Sequence, residues 1–139
     1  MCVAAGSGGT MAGLVAALGP DRVLGVDVGA VDDVVERVQR LWGELVDDAD
    51  TDPRRLTIRA DVVGEGYSVF TQASREALQL VARTEGIVLD PVYTGRAAAG
   101  LIRAVREGTI RQGERTVLLH SGGLPGLFGH AHATPWRVA

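Results

Sequence analysis

Lysine is absent from the 139 residues: all 14 basic side chains are arginine, set against 17 acidic ones. The net charge of -3, with mixed signs along the chain, offers none of the basic field that nucleic acid requires. A single cysteine, Cys2, excludes an internal disulfide and fits a reducing compartment. Aromatic residues make up only 4% of the chain, so the apolar content is carried by Val, Leu and Ala, which suits helices packed on a buried parallel sheet. No apolar run approaches the ~20 residues that span a membrane, and the N-terminus lacks a charged region followed by a long apolar one. These absences lead to the expectation of one soluble, cytoplasmic domain over residues 1–130, a short tail over 131–139, and no nucleic-acid or membrane partner.

What is present begins almost at the first residue. In "VAAGSGGTMAGLVAAL", Val3 to Ala5 reads as the end of a buried strand and Met11 to Leu18 as a helix. Between them stand Gly6, Ser7, Gly8, Gly9 and Thr10. Glycines let the backbone turn sharply and leave room for a ligand, while a helix start presents unpaired N–H groups and a positive dipole end. Such a place suits an anion, and the hydroxyls of Ser7 and Thr10 equip it for a phosphate. The P-loop pattern fails, because Leu14 and Val15 follow Gly13 where Lys and Ser or Thr are needed. The dinucleotide fingerprint fails as well, because Met11 stands where its last glycine belongs. A phosphate-binding domain for another small ligand, or a plain strand-to-helix turn, stays open on the residues alone.

Further along, Val23, Leu24, Val26 and Val28 read as a strand ended by Gly29, and Val31 to Val46 as an amphipathic helix with Val34, Val38, Leu41, Trp42 and Leu45 on its apolar side. "DDADTDPRR" is acidic but lacks the ligand spacing of a calcium loop and reads as a solvated connection. "LTIRADVVGEGYS" reads as extended, and "QASREALQLVARTEG" as a helix closed by Gly86. "IVLDPVYTG" is expected to run from a strand into a helix over Arg96 to Glu107, and "RTVLLHSGG" to form another short buried strand. Strands alternating with helices predict an α/β fold, a parallel sheet with helices on both faces and its crevice beyond the carboxyl ends of the strands. Gly6 to Thr10, Tyr93-Thr94 and Ser121-Gly122-Gly123 all sit at such ends and are expected to meet.

The segments "GSGGTMAGL", "GVDV", "EGY", "ARTEGIVLDPVYTGRAAAGLI" and "LLHSGGLPGLFGH" together resemble the C-terminal part of the D-cysteine desulfhydrase and aminocyclopropane-carboxylate deaminase family, from about Cys2 to His130. That family consists of pyridoxal-phosphate enzymes of the tryptophan-synthase-like fold. The resemblance implies that Gly6, Ser7, Gly8, Gly9 and Thr10 hold the cofactor phosphate. It implies active-site roles for Tyr67 and Tyr93, places Ser121 near the pyridine nitrogen, and sets Thr94 beside the ring. Where the deaminase branch carries a glutamate after the "PVY" tyrosine, this chain has Thr94, and Ser121 is neutral too. Without a carboxylate the ring is a weaker electron sink, which suits β-elimination of a thiolate better than opening of a cyclopropane. The desulfhydrase branch is therefore expected, with a small amino acid as substrate.

One departure is large. The family binds its cofactor as a Schiff base with a lysine of the N-terminal half, and neither that half nor any lysine is in this sequence. The expectation is a chain inactive by itself: a truncated gene, a split enzyme with a separate N-terminal half, or a misassigned start, with self-association through a sheet edge left bare. A non-catalytic remnant that binds phosphate ligands or a partner is the alternative. Cys2 is expected inside a strand without a catalytic role, His120 as a structural histidine, and His130 and His132 as part of a loose tail, with no metal.

Overall fold

The computed structural model describes residues 1–46 and 51–130. Three short parallel strands, β1 (Cys2–Ala5), β2 (Leu24–Asp27) and β3 (Thr57–Arg59), lie side by side in the order β1-β2-β3, with Ala4 opposite Val26 and Gly25 opposite Ile58. Helix α1 (Gly9–Leu18) links β1 to β2, and α2 (Val34–Val46) follows β2; α3 (Gln72–Glu85), α4 (Thr94–Arg106) and the short α5 (Leu124–Gly129) come after β3 among the described residues.

The alternation of side chains along a strand divides the core in two. Val3 and Ala5 point to one face, where they meet Met11, Ala12 and Val15 of α1 and Val34, Val38 and Trp42 of α2. Cys2, Ala4, Val26 and Val28 point to the other, against Ala97, Ala98 and Ala99 of α4, with Ala77 and Leu78 of α3 behind. Every residue of β1 is buried. The α/β fold with helices on both faces is thus the one expected from the alternating pattern.

Two glycines set how close the layers come. The thioether of Met11 occupies the space where a Cβ on Gly25 would lie, and a Cβ on Gly100 would press on Val26 Cγ2 at 2.6 Å. The Ala-rich start of α4 therefore lies almost directly on β2. Helix α3 is held at its start by Thr71, whose hydroxyl accepts from Ser74 N at 3.1 Å, and at its end by Gly86 at φ 68°.

Several sequence expectations are corrected here. Helix α2 starts at Val34 rather than Val31, with Asp33 accepting from Glu36 N at 2.9 Å, and α4 starts at Thr94 rather than Arg96. In 56–68 only β3 is strand, and turns follow it. Residues 87–90 are not a strand: Ile87 and Val88 are half exposed and the chain runs straight into the turn before α4. Residues 115–123 form no buried strand either. They make one bridge to β1, with Cys2 N donating to Val117 O at 2.8 Å and Leu119 N to Cys2 O at 2.9 Å, while Val117 stays 57% exposed. An apolar run becomes a strand only where a neighbour pairs with it over its length, and both runs lack one among the described residues. Part of the acidic connection, residues 47–50, and the tail with His132 lie outside the described residues.

Candidate functional site

Helix α1 begins without a side-chain cap: Gly8, in the left-handed region at φ 87°, precedes it, and the first intrahelical bond runs from Ala12 N to Gly8 O at 2.9 Å. The amide groups ahead of Ala12 form the uncapped end, which is the arrangement that attracts an anion. The loop is held from α2, where Arg37 Nε donates to the carbonyl of Ser7 at 3.3 Å. It is also held from the opposite layer, since a Cβ on Gly6 would stand 3.2 Å from Cε1 of Tyr93.

Around this helix start lies a cavity of about 260 Å³, lined by Ala4, Gly6, Ser7, Gly8, Gly9, Thr10, Tyr93, Ser121, Gly122 and Gly123. The three distant segments expected to meet do meet here. Among the described residues no charged side chain is in the lining, and the polar groups are hydroxyls and main chain. A larger hollow of about 600 Å³ between α3 and α4 shares no residue with it and contains ion pairs already satisfied among themselves, such as Arg103 with Glu107.

The two tyrosines of the chain come together although 26 residues apart. Their hydroxyls hydrogen-bond to each other and their rings meet edge to face, with centroids 5.9 Å apart. The hydrogen bond to Tyr67, reinforced by partial desolvation, pushes the Tyr93 phenol up to about 12. Tyr93 reaches the cavity and Tyr67 reaches Tyr93.

Thr94 behaves differently from its expected place beside a ring. It is fully buried, its hydroxyl donates to Asp90 Oδ1 at 2.6 Å and accepts from Asp90 N at 2.9 Å, and it does not line the cavity. His120 also stays out of the cavity, with Nε2 bonded to the Val88 carbonyl at 2.9 Å. His130 Nε2 bonds the Ser68 carbonyl at 2.7 Å and its ring lies edge-on to Phe70. The Cys2 thiol is buried on the α4 face of β1 and pushed up to about 12 by desolvation, which leaves it without nucleophilic character.

Two residues that the sequence reading passed over shape the site. Asp90, 1% exposed, accepts from Val92 N at 2.9 Å, Tyr93 N at 2.8 Å and Thr94 N at 2.7 Å, and so fixes the turn that carries Tyr93. Arg96, also buried, bonds carbonyls of the segment that carries Tyr67. The spacing Asp-Pro-x-x-Thr before a helix, with an aspartate placed to cap, was the available signal for the first.

The model of the family described as "Pyridoxal-phosphate dependent enzyme" matches residues 1–122. The chain belongs to this family. A 1-aminocyclopropane-1-carboxylate deaminase from Rhizobium leguminosarum bv. viciae is 32% identical over 95% of the chain and 41% of its own length. A crystal structure of an ACC deaminase homologue superposes with a TM-score of 0.73 at 31% identity, covering 91% of the chain and 40% of that structure. The chain thus spans about two fifths of the length of these relatives.

The cavity of this pyridoxal-phosphate-family chain can be tested for fit to the cofactor. Its glycine-lined, uncapped helix start suits a phosphate, and no carboxylate among the described residues lines it to repel one. The residues present fit the phosphate end, whereas an amine to anchor an aldehyde covalently is lacking among the side chains, since no lysine occurs. No helix among the described residues is long and apolar enough to cross a membrane.

Proposed function

We propose that this chain supplies the phosphate cradle and the tyrosine pair of a pyridoxal-phosphate-dependent lyase that eliminates sulfide from D-cysteine. With uptake of one water, D-cysteine gives pyruvate, sulfide and ammonia. The observation that carries the reading is the convergence of the uncapped α1 start, Tyr93 and the Ser121–Gly123 loop on one neutral cavity. The main chain of Gly6 to Thr10, with the Ser7 and Thr10 hydroxyls, would hold the cofactor phosphate, and Ser121 would lie toward the ring. When bound, pyridoxal phosphate supplies an electron sink for carbanion chemistry. A hydroxyl rather than a carboxylate at Ser121 keeps that sink weak, which is enough when a thiolate departs. Tyr93, its proton held by the Tyr67 hydrogen bond, is placed to hold or pass a proton at its hydroxyl oxygen, and the pair orients what enters the cavity.

The covalent anchor and the groups for the substrate carboxylate come, in this reading, from an N-terminal half that associates with this chain. A second reading, opening of 1-aminocyclopropane-1-carboxylate, is favoured by the printed names of both relatives. Against it stand the neutral residues at Thr94 and Ser121, of which Thr94 bonds Asp90 and lies outside the cavity lining.

Coexpression with the N-terminal portion of the Rhizobium relative tests both. Release of sulfide from D-cysteine faster than ammonia from the cyclopropane supports the first reading, and the reverse order selects the second. Tyr93→Phe should lower turnover by about 100-fold while leaving cofactor absorbance nearly intact. Equal loss of both would remove Tyr93 from proton transfer.

A further inference from the structure

Arg96 stands one helical turn beyond Tyr93 and is completely buried. Its Nη1 donates to the carbonyl of Val28, just past β2, and its Nη2 donates to the carbonyls of Gly66 at 2.6 Å and Val69 at 2.7 Å. Its Nε is buried with no acceptor among the described residues. Among the described residues no carboxylate touches the guanidinium; Asp27 and Asp90 act on it only at a distance. Burial consequently makes the charged form harder to keep and lowers its pKa.

A buried cation without an ion-pair partner is a costly way to fill space, and an apolar side chain of similar volume packs the same place without that cost. What the guanidinium provides is a planar fork that reaches carbonyls of two separate segments at once, which an ammonium on a flexible stem does not. The two carbonyls on Nη2 bracket Tyr67, while Arg96 itself is fixed to the start of the helix that Tyr93 opens. We propose that Arg96 is a positioning residue for the tyrosine pair, tying the Gly66–Val69 turn to α4 so that the two phenols meet at the cavity mouth. The inference rests on the reading of this cavity as the active site. The His130 bond to the Ser68 carbonyl supports the same turn from outside, and Asp90 lies near Tyr93 from its own turn.

The chain has two tyrosines, so labelling with 3-fluorotyrosine yields two fluorine resonances, assigned with Tyr67→Phe. Fluorination makes the phenol more acidic and brings the titration below strongly alkaline pH. In the unaltered full-length chain the two midpoints should be separated by about one pH unit or more, as for any strongly coupled pair. Arg96→Gln and Arg96→Lys, each checked for folding by circular dichroism, should shrink that separation to less than about half of it. A folded variant that keeps the full separation overturns the proposal. Should neither variant fold, amide exchange in the unaltered chain decides: protection over 66–69 comparable with the first turns of α4 supports the clamp, and exchange there as fast as in an unstructured peptide overturns it. Failure of the chain coexpressed with the N-terminal portion of the Rhizobium relative to retain pyridoxal phosphate would count against the functional reading while leaving these measurements intact.

Discussion

The carboxylate of Asp90 lies directly beneath Gly123: a Cβ on this glycine, at φ 97°, would stand 2.5 Å from Asp90 Cγ. The carboxylate that fixes the Tyr93 turn therefore also seats the loop on the other side of the cavity. Gly123→Ala should cost about 2 kcal/mol, through both the left-handed backbone and the collision, as read by urea unfolding. Gly9→Ala in the same cavity meets nothing within 4 Å and should change stability by less than about 0.5 kcal/mol. Similar losses for the two would show that the contact with Asp90 does not constrain the loop.

Removing the charge at Asp90 should be severe. Asp90→Asn converts one accepting oxygen into a donor in front of amides at 2.7 to 2.9 Å, leaving buried N–H groups without partners. A loss of about 3 kcal/mol is expected by urea titration. Asp52→Asn, whose partner Arg54 is exposed, is the comparison and should change little.

The Cys2 thiol gives the chain an alkaline limb of stability. Its folded value, about 12, exceeds the ordinary 9.0, so the folded state holds the proton more tightly than the unfolded one. Stability from this source is complete below pH 9.0 and is lost as pH rises toward 12. The loss amounts to about 4 kcal/mol at most, by the free energy of each pH unit. Tyr93 contributes in the same direction, so the difference between the unaltered chain and Cys2→Ala isolates the thiol. Parallel curves for the two between pH 9 and 11 would contradict the assignment. Reaction of Cys2 with a disulfide reagent at pH 8 should be limited by opening of the fold.

Covalent capture of the cofactor aldehyde should fail inside this chain. With no lysine, incubation with pyridoxal phosphate followed by borohydride should leave no adduct at any interior residue on peptide mapping. The Met1 amine, which donates to the Arg22 carbonyl at 2.6 Å, is the sole amine expected to label. Stoichiometric labelling elsewhere would show a nucleophile that neither sequence nor structure displays.

The parts of the fold legible in the sequence were those written in local chemistry. The glycine loop before α1, the Gly86 end of α3 and the short apolar run of β1 each need only near neighbours to take shape. Residues 87–90 and 115–120 read wrongly because an apolar run bounded by glycine looks alike whether or not a neighbouring strand exists to pair with it. Convergence of the three loops was expected from strand ends, two of which are not strands; it is brought about by the approach of Tyr93 to Gly6 and by the Asp90 carboxylate beneath Gly123, while the Thr94 side chain answers to Asp90, four residues earlier in the chain. Arg96 could not be singled out: in sequence an arginine in a helix reads as solvated. The clue was its setting, an arginine at the head of Ala97, Ala98, Ala99 and Gly100, the most buried stretch of its helix.

The Met11 thioether resting on Gly25 bears on how the chain ages chemically. A sulfoxide adds an oxygen to a sulfur already filling the gap a missing side chain leaves, with the residue 0% exposed. The folded sheet thus keeps oxidants from Met11 and has no room for the product, so oxidative damage at this position marks molecules that had already opened, and once made it keeps α1 from settling back on β2.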